Sequence, residues 1–191
     1  MAERITRTRG ADAPLSTARN PNPAAAGLGV TDEDDVLVGR TVSIYRSRQE
    51  LYDFWRDFRN LPLFMENIES VEVMDGPLSH WVVRGPAGTD LEWGSRITED
   101  IPGEVIAWRS VEGASVDNSG RVEFRDSPNA RGTIVSVTIA YDPPGGKLGK
   151  VFAKIFRREP AIQARHELRR FKQLMETGEL PTSALTVETW P

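Results

Sequence analysis

The stretch HWVVRGPAGTDLEWGSRITEDIPGEVIAWRS, residues 80–110, decides the fold of this chain. It contains three runs in which apolar and polar side chains alternate, and the turn-forming tracts 85–88 and 101–103 separate them. Alternation of this kind is typical of strands with one buried face. Connections this short favour antiparallel neighbours, because a parallel crossover needs about a dozen residues or more.

The same pattern continues in both directions from this stretch. Seven strands are predicted in all, at 38–45, 70–74, 79–84, 91–99, 105–111, 120–125 and 132–141. Two short helices are predicted after the first strand, at 49–58 and 63–68, and Ser47 with Glu50 forms a capping-box pattern before the first of them. A long helix is predicted from Pro160 to Thr177, where Gly178 supplies the stop. The fold class is therefore α+β, with one curved antiparallel sheet around a long C-terminal helix.

Side chains alternate across a strand, so parity assigns each residue to one face of the sheet. One face collects apolar and aromatic side chains, with a few polar ones: Trp81, Val83, Leu91, Trp93, Ser95, Ile97, Ile106, Trp108, Val122, Phe124, Thr133, Val135, Val137, Ile139 and Tyr141. The other face is polar and charged, as expected of a sheet with one side in water. An apolar stripe on the long helix is the natural cover for the inner face: Ala161, Ala164, Leu168, Phe171 and Met175.

Composition limits the classes of function. The net charge of −4 argues against general affinity for nucleic acid, and the absence of cysteine excludes disulfides and thiolate chemistry. No apolar run reaches the roughly 20 residues of a membrane span, so we expect a cytoplasmic, bacterial-type protein. Residues 1–35 are predicted to be a disordered or loosely docked tail, 36–180 the folded domain, and 181–191 a C-terminal tail.

Three tryptophans, Trp81, Trp93 and Trp108, share the inner face, and two interpretations of them stay open. They either fill the core or line a ligand cavity between the sheet and the long helix. In the inner-face set of the sheet, only Ser95, Thr133 and Tyr141 are polar, and Tyr141 is the one plausible proton donor there.

No catalytic residue, metal site or cofactor is predicted from the ionisable side chains. The only two histidines, His80 and His166, are expected on the surface, away from the apolar stripe. Asp90, Glu99 and Asp100 lie at strand ends and are expected near the mouth of any cavity. A basic amphipathic segment at 147–158 suggests transient contact with a membrane surface.

The order of elements resembles the helix-grip fold of the START-like (SRPBCC) superfamily. Five strings are similar to its polyketide cyclase/dehydrase and coenzyme Q-binding-protein-like group: FWRDFRNLPLFMENIESVEV, HWVVRGPAGTDLEWGSRITEDIPGEVIAWRS, GRVEFRD, RGTIVSVTIAYDPPGG and ELRRFKQLMETGEL. The resemblance covers about 36–180. It implies a deep apolar cavity for a lipid, quinone, sterol or polyketide, while a minority of members catalyse cyclisation or dehydration.

The family's cavity-lining role carries over to positions whose parity agrees. These are Trp81, Trp93, Trp108, Phe124, Val135, Val137, Leu168 and Phe171, with Tyr141 added from the inner-face set. The first hypothesis is a carrier or binding protein for a small hydrophobic ligand, without an obligate partner and without nucleic acid. The alternatives are an aromatase/cyclase or dehydratase, and a protein-interaction or stress-related module without ligand.

Overall fold

The computed structural model describes residues 36–84, 90–128, 131–142 and 160–179, and for 36–38, 141–142 and 160–162 it describes the backbone only. Ten elements follow one another along the chain: β1 (Val36–Ile44), α1 (Arg48–Arg56), a 3-10 helix (Phe58–Leu63), β2 (Ile68–Val73), β3 (Leu78–Arg84), β4 (Asp90–Ile101), β5 (Val105–Ser110), β6 (Asp117–Asp126), β7 (Thr133–Asp142) and α2 (Pro160–Thr177). All the strands pair antiparallel in one sheet of order β1-β7-β6-β5-β4-β3-β2. The predicted fold class is confirmed.

The start of α1 agrees with the sequence, but the second short helix lies elsewhere than predicted. The Ser47 hydroxyl accepts a hydrogen bond from the backbone N–H of Glu50 at 3.3 Å, as an N-cap does. The prediction of a helix at 63–68 was wrong, because a 3-10 helix forms at 58–63 instead. Its start is capped by the Asp57 carboxylate, which accepts from the backbone N–H of Arg59 at 3.2 Å. The chain therefore turns into a second helix immediately after α1.

Helix α1 closes one end of the curved sheet, which we call the closed end. Arg48 pairs through Nε with Asp126, the last residue of β6, at 3.0 Å. Tyr52 donates to the carboxylate of Asp100, and Arg56 Nε donates to the same carboxylate at 2.6 Å. These contacts hold α1 against the β4–β5 and β6–β7 connections. The opposite half of the concave face, which contains the start of β4, is called the distal half.

Helix α2 crosses the concave face and is attached on both sides. On one side Lys172 Nζ donates to the carbonyl of Ser43 at 2.6 Å, and the N–H of Tyr45 donates to Glu176 at 2.8 Å. On the other side Arg170 Nε donates to the carbonyl of Phe64 at 3.2 Å. The C-terminal end of α2 thus lies at the closed end, and the helix runs from there toward the distal half. Within the described residues, no helix is long and apolar enough to cross a bilayer.

Candidate functional site

Burial follows the predicted parity in β3, β4 and β6, whereas in β5 Ala107, which parity places on the outer face, is buried as well. The closed end is packed with aromatic rings. Phe58 meets Trp81 and Trp108 edge-on, with ring centroids 5.4 and 5.9 Å apart. Trp55 lies against Phe64 at 5.1 Å, and both are fully buried. The side chains of α1 and the 3-10 helix therefore fill this half of the concave face.

Seven of the nine predicted lining residues are buried in this core. They are Trp81, Trp108, Phe124, Val135, Val137, Leu168 and Phe171, each at most 6% exposed. The side chain of Tyr141 lies outside the described ones. Whether these eight side chains border a ligand therefore stays a prediction.

Trp93 differs from the other predicted lining residues. It lies near the start of β4, directly opposite Trp81 of β3, at the border between the closed end and the distal half. The two indole rings are stacked, with centroids 6.2 Å apart and an angle of 14° between the planes. Trp93 remains only partly buried, although its Nε1 atom is buried and has no hydrogen-bond partner. The distal half thus presents an aromatic ring with an unused donor.

Glu167 brings a carboxyl group to the buried side of α2, which the sequence interpretation missed. It precedes the fully buried Phe171 by one helical turn, in the N-terminal half of the helix. Burial raises the pKa of Glu167 to about 7; the hydrogen bond from Gln163 Nε2 at 3.0 Å opposes the rise, Glu66 adds to it and Arg170 opposes it. A carboxyl group with this pKa exists in both protonation states near neutral pH.

Arg40 is a second charged group that the inner-face inventory left out. It lies opposite Val137 on β1, on the same face as Val42 and Ile44, and it is partly buried. The expectation that Ser95, Thr133 and Tyr141 are the only polar residues facing inward was therefore wrong. The sequence spacing could have placed both residues on the inner side. Glu167 is four residues before a core residue of the helix, and Arg40 is two residues before an inward residue of the strand.

Two hydroxyl groups that were predicted to face inward, those of Ser95 and Thr133, are occupied by backbone partners. Ser95 Oγ donates to the carbonyl of Arg109 at 3.0 Å, and Thr133 Oγ1 donates to the carbonyl of Arg46 at 2.8 Å. These hydrogen bonds connect neighbouring segments of the fold. The two hydroxyl protons are consequently engaged within the protein.

The other ionisable candidates lie away from the distal interior. His80 is 3.3 Å from Glu92 and His166 is 3.6 Å from Glu66, with side chains 38% and 57% exposed, so the predicted surface positions are confirmed. Asp100 lies at the closed end, where its carboxylate binds Tyr52; burial, together with this contact, raises the pKa of Tyr52 to about 12.

Glu99 also lies near the closed end, on the outer face, where it pairs with Arg121. In the described segments, no group of three or more His, Cys, Asp and Glu side chains is placed to hold a metal ion.

A surface cleft of about 800 Å³ lies outside the closed end. Its lining comes from the β1–α1 connection and from the β4–β5 and β6–β7 turns: Tyr45, Arg46, Ser47, Arg48, Gln49, Pro102, Gly103, Asp126, Ser127, Pro128, Gly132 and Thr133. Arg48 is already paired with Asp126 and Glu104. This mixed lining, in which the charged side chains are already paired, differs from the mainly apolar walls of a site for a small hydrophobic molecule. The predicted basic amphipathic segment at 147–158 and both predicted tails lie outside the described residues.

Comparison with known proteins identifies relatives over most of the chain. The family model described as polyketide cyclase/dehydrase and lipid transport matches residues 44–169. A protein of Streptomyces lincolnensis described as an uncharacterized 17.2 kDa protein is 32% identical over 131 residues, which are 65% of this chain and 79% of that protein.

Solved structures extend the similarity to the fold. The crystal structure of a protein from Deinococcus radiodurans matches with a TM-score of 0.63 and 41% sequence identity. The match covers 75% of this chain and 98% of that one. The Zhui aromatase/cyclase of a Streptomyces species matches with a TM-score of 0.57 over 77% of this chain and 99% of that one, at 18% identity. At that identity the second match supports the fold alone.

Proposed function

Because the chain belongs to the polyketide cyclase/dehydrase and lipid transport family, we propose that it binds a small hydrophobic molecule in the distal half of its concave face. The ligand lies between the sheet and the N-terminal half of α2. Its chemical class is that of a lipid, quinone or polyketide-like compound. Membership of the family supports a small apolar ligand, and the position of the ligand in the distal half is our proposal.

The proposal rests on a difference in side-chain burial between the two halves of the concave face. Aromatic side chains from α1 and the 3-10 helix fill the closed half, where Trp55, Phe58 and Phe64 are at most 1% exposed. Toward the distal half Trp93 stays partly exposed, and the stripe of α2 contains the small, half-buried Ala164. Apolar walls with a few polar groups are typical of sites for small hydrophobic molecules.

Substitution of Ala164 by Trp tests the location of the site. We expect the new indole to occupy the ligand's space, so that the neutral fluorescent probe N-phenylnaphthylamine binds roughly tenfold more weakly, which corresponds to about 1.4 kcal/mol. The melting temperature is expected to stay the same or rise, because the ring enters unfilled space. Probe titration and thermal unfolding measure the two effects.

The control is Arg165→Trp, which adds the same ring one residue further along, at an exposed position of α2. It should leave probe binding unchanged. If the distal half is instead a filled core, Ala164→Trp lowers stability by about 1–3 kcal/mol through overpacking. That result, together with an absence of bound ligand in native mass spectrometry of the purified protein, would refute the proposal.

A second candidate function is an enzyme of the cyclase or dehydratase type, and Glu167 is the observation that favours it. Cyclisation and dehydration both need proton transfer at the substrate, and a group with a pKa near the working pH is best suited to it. Glu167 meets this requirement with a pKa of about 7. Tyr141, the donor predicted from the sequence, stays a candidate for orienting the substrate.

The enzyme hypothesis is tested with a β-hydroxy ketone whose dehydration is followed by absorbance. Glu167 would take the proton from the carbon next to the carbonyl and return it to the hydroxyl group. The carbon–carbon double bond forms as the carbon–oxygen bond breaks, and the hydroxyl group leaves as water. Turnover is expected to fall by about a hundredfold or more in Glu167→Gln. Turnover that survives this substitution rules out Glu167 as the base, and its absence in the wild type leaves the binding function.

A further inference from the structure

Two buried indole N–H groups have no hydrogen-bond partner in the part of the chain that the structure describes, those of Trp55 and Trp93. An unsatisfied buried donor costs about 1–3 kcal/mol, so each case calls for a physical explanation. An indole N–H only donates, and a partner must therefore supply an acceptor atom.

The surroundings of the two indoles differ. Trp55 is 0% exposed and is enclosed by Phe64 and Phe171, whose rings supply no acceptor oxygen. Trp93 is only partly buried, and it faces the distal half in which we place the ligand. The donor of Trp55 is thus sealed inside the core, whereas the donor of Trp93, although buried itself, belongs to a ring that is still partly exposed.

The residues around Trp93 show that the protein's own hydroxyl groups are already used. Trp81, stacked on Trp93, donates through Nε1 to Ser79 Oγ at 2.9 Å. Ser95, two residues after Trp93 on the same face, directs its hydroxyl to the carbonyl of Arg109. Two neighbouring indoles on one face therefore differ in hydrogen bonding: Trp81 has an internal acceptor for its N–H, and Trp93 has none.

We propose that the indole N–H of Trp93 donates a hydrogen bond to an oxygen atom of the ligand, and that the protein selects flat ring compounds carrying a carbonyl group. This inference rests on the proposed binding function and specifies the ligand's chemistry. The stacked Trp81–Trp93 pair offers an aromatic surface for the ring system. A hydrocarbon of the same shape leaves the donor unpaired and so binds more weakly.

The test compares methyl naphthyl ketone with isopropenylnaphthalene, which have nearly the same shape but differ in the carbonyl oxygen. The chain has five tryptophans, so a nitrogen-15 correlation spectrum resolves their indole N–H signals, and Trp93→Phe identifies the signal of Trp93. We expect the ketone to shift that signal downfield and the hydrocarbon to leave it nearly in place. In the wild type the ketone should bind roughly fivefold more tightly than the hydrocarbon, and Trp93→Phe should remove this preference.

Trp55→Phe is the matched control, because it removes the other unpartnered indole N–H from outside the distal half. It is expected to keep the preference for the ketone. If the wild type binds both compounds equally and the Trp93 signal does not respond to the carbonyl, the inference is overturned while the binding function stands. If neither compound binds, the proposed binding of ring compounds fails, and the inference fails with it.

Discussion

Replacement of Glu167 by Gln is expected to stabilise the protein by about 3 kcal/mol near pH 8, because it removes the largest upward pKa shift among the carboxyl groups that the structure describes. The pKa of Glu167 rises from 4.5 to about 7 on folding, because burial disfavours the ionised form. The folded state therefore binds the proton more tightly than the unfolded state. This group's contribution is fully present below pH 4.5 and is lost as the pH rises to about 7.

Glutamine is neutral at every pH, and its side-chain oxygen still accepts from Gln163. Urea unfolding of the wild type and of Glu167→Gln at several pH values measures the effect. The difference between the two proteins should be small near pH 4 and should grow to its plateau above about pH 7. If the free energy of unfolding changes with pH in the same way for the two proteins, water reaches the Glu167 carboxyl. The enzyme hypothesis would then lose its support.

Glu176, on the same helix, supplies a control, because its pKa is lowered on folding whereas that of Glu167 is raised. Burial acts against ionisation of Glu176, but hydrogen bonds from Lys172 Nζ and the Tyr45 N–H outweigh it and hold the pKa below its usual value. Its stabilisation is present above the unfolded-state pKa and is lost as the pH falls through the folded-state pKa. Glu176→Gln is therefore expected to destabilise the protein at neutral pH and to have little effect in acid.

Substitution of Gly120 by Ala is expected to destabilise the fold by about 3 kcal/mol, at the upper end of the cost of overpacking a core. A Cβ atom at Gly120 would lie 2.1 Å from Cζ2 and 2.4 Å from Cε2 of Trp108, the cross-strand neighbour. The ring of Trp108 cannot move aside easily, because Phe58 packs against it and Trp81 is stacked on it at 6.1 Å. Thermal and urea unfolding measure the loss.

Gly94→Ala is the matched control for Gly120→Ala. Its new Cβ would meet only the end of the Val111 side chain, at 3.0 Å, and a side-chain terminus can shift. We expect a loss of less than about 1 kcal/mol there. Combining Gly120→Ala with Trp108→Phe should restore part of the stability, because the smaller ring makes room. Equal effects of the two glycine substitutions would contradict the close approach of Trp108 to β6.

The sequence was informative wherever the structure depends on local pattern. Alternation in β3, β4 and β5 placed Trp81, Trp93 and Trp108 on one face, and the structure stacks Trp81 against both of the others. The capping residue Ser47 and the terminal Gly178 were also identified, because caps involve residues close in sequence. The second short helix was predicted too far along the chain. Asp57 caps an earlier helix start, and burial of the segment that follows Asp57 favours that start.

The sequence by itself determined the single antiparallel sheet, its apolar face and the long helix that covers it, because periodicity is a local property of the chain. Only the tertiary structure decided that Trp55, Phe58 and Phe64 fill the closed end of the concave face. It also decided that Glu167 is desolvated and that the indole of Trp93 lacks the acceptor that Trp81 has in Ser79. Desolvation and hydrogen-bond satisfaction depend on groups brought together from distant parts of the chain, and no local pattern records them.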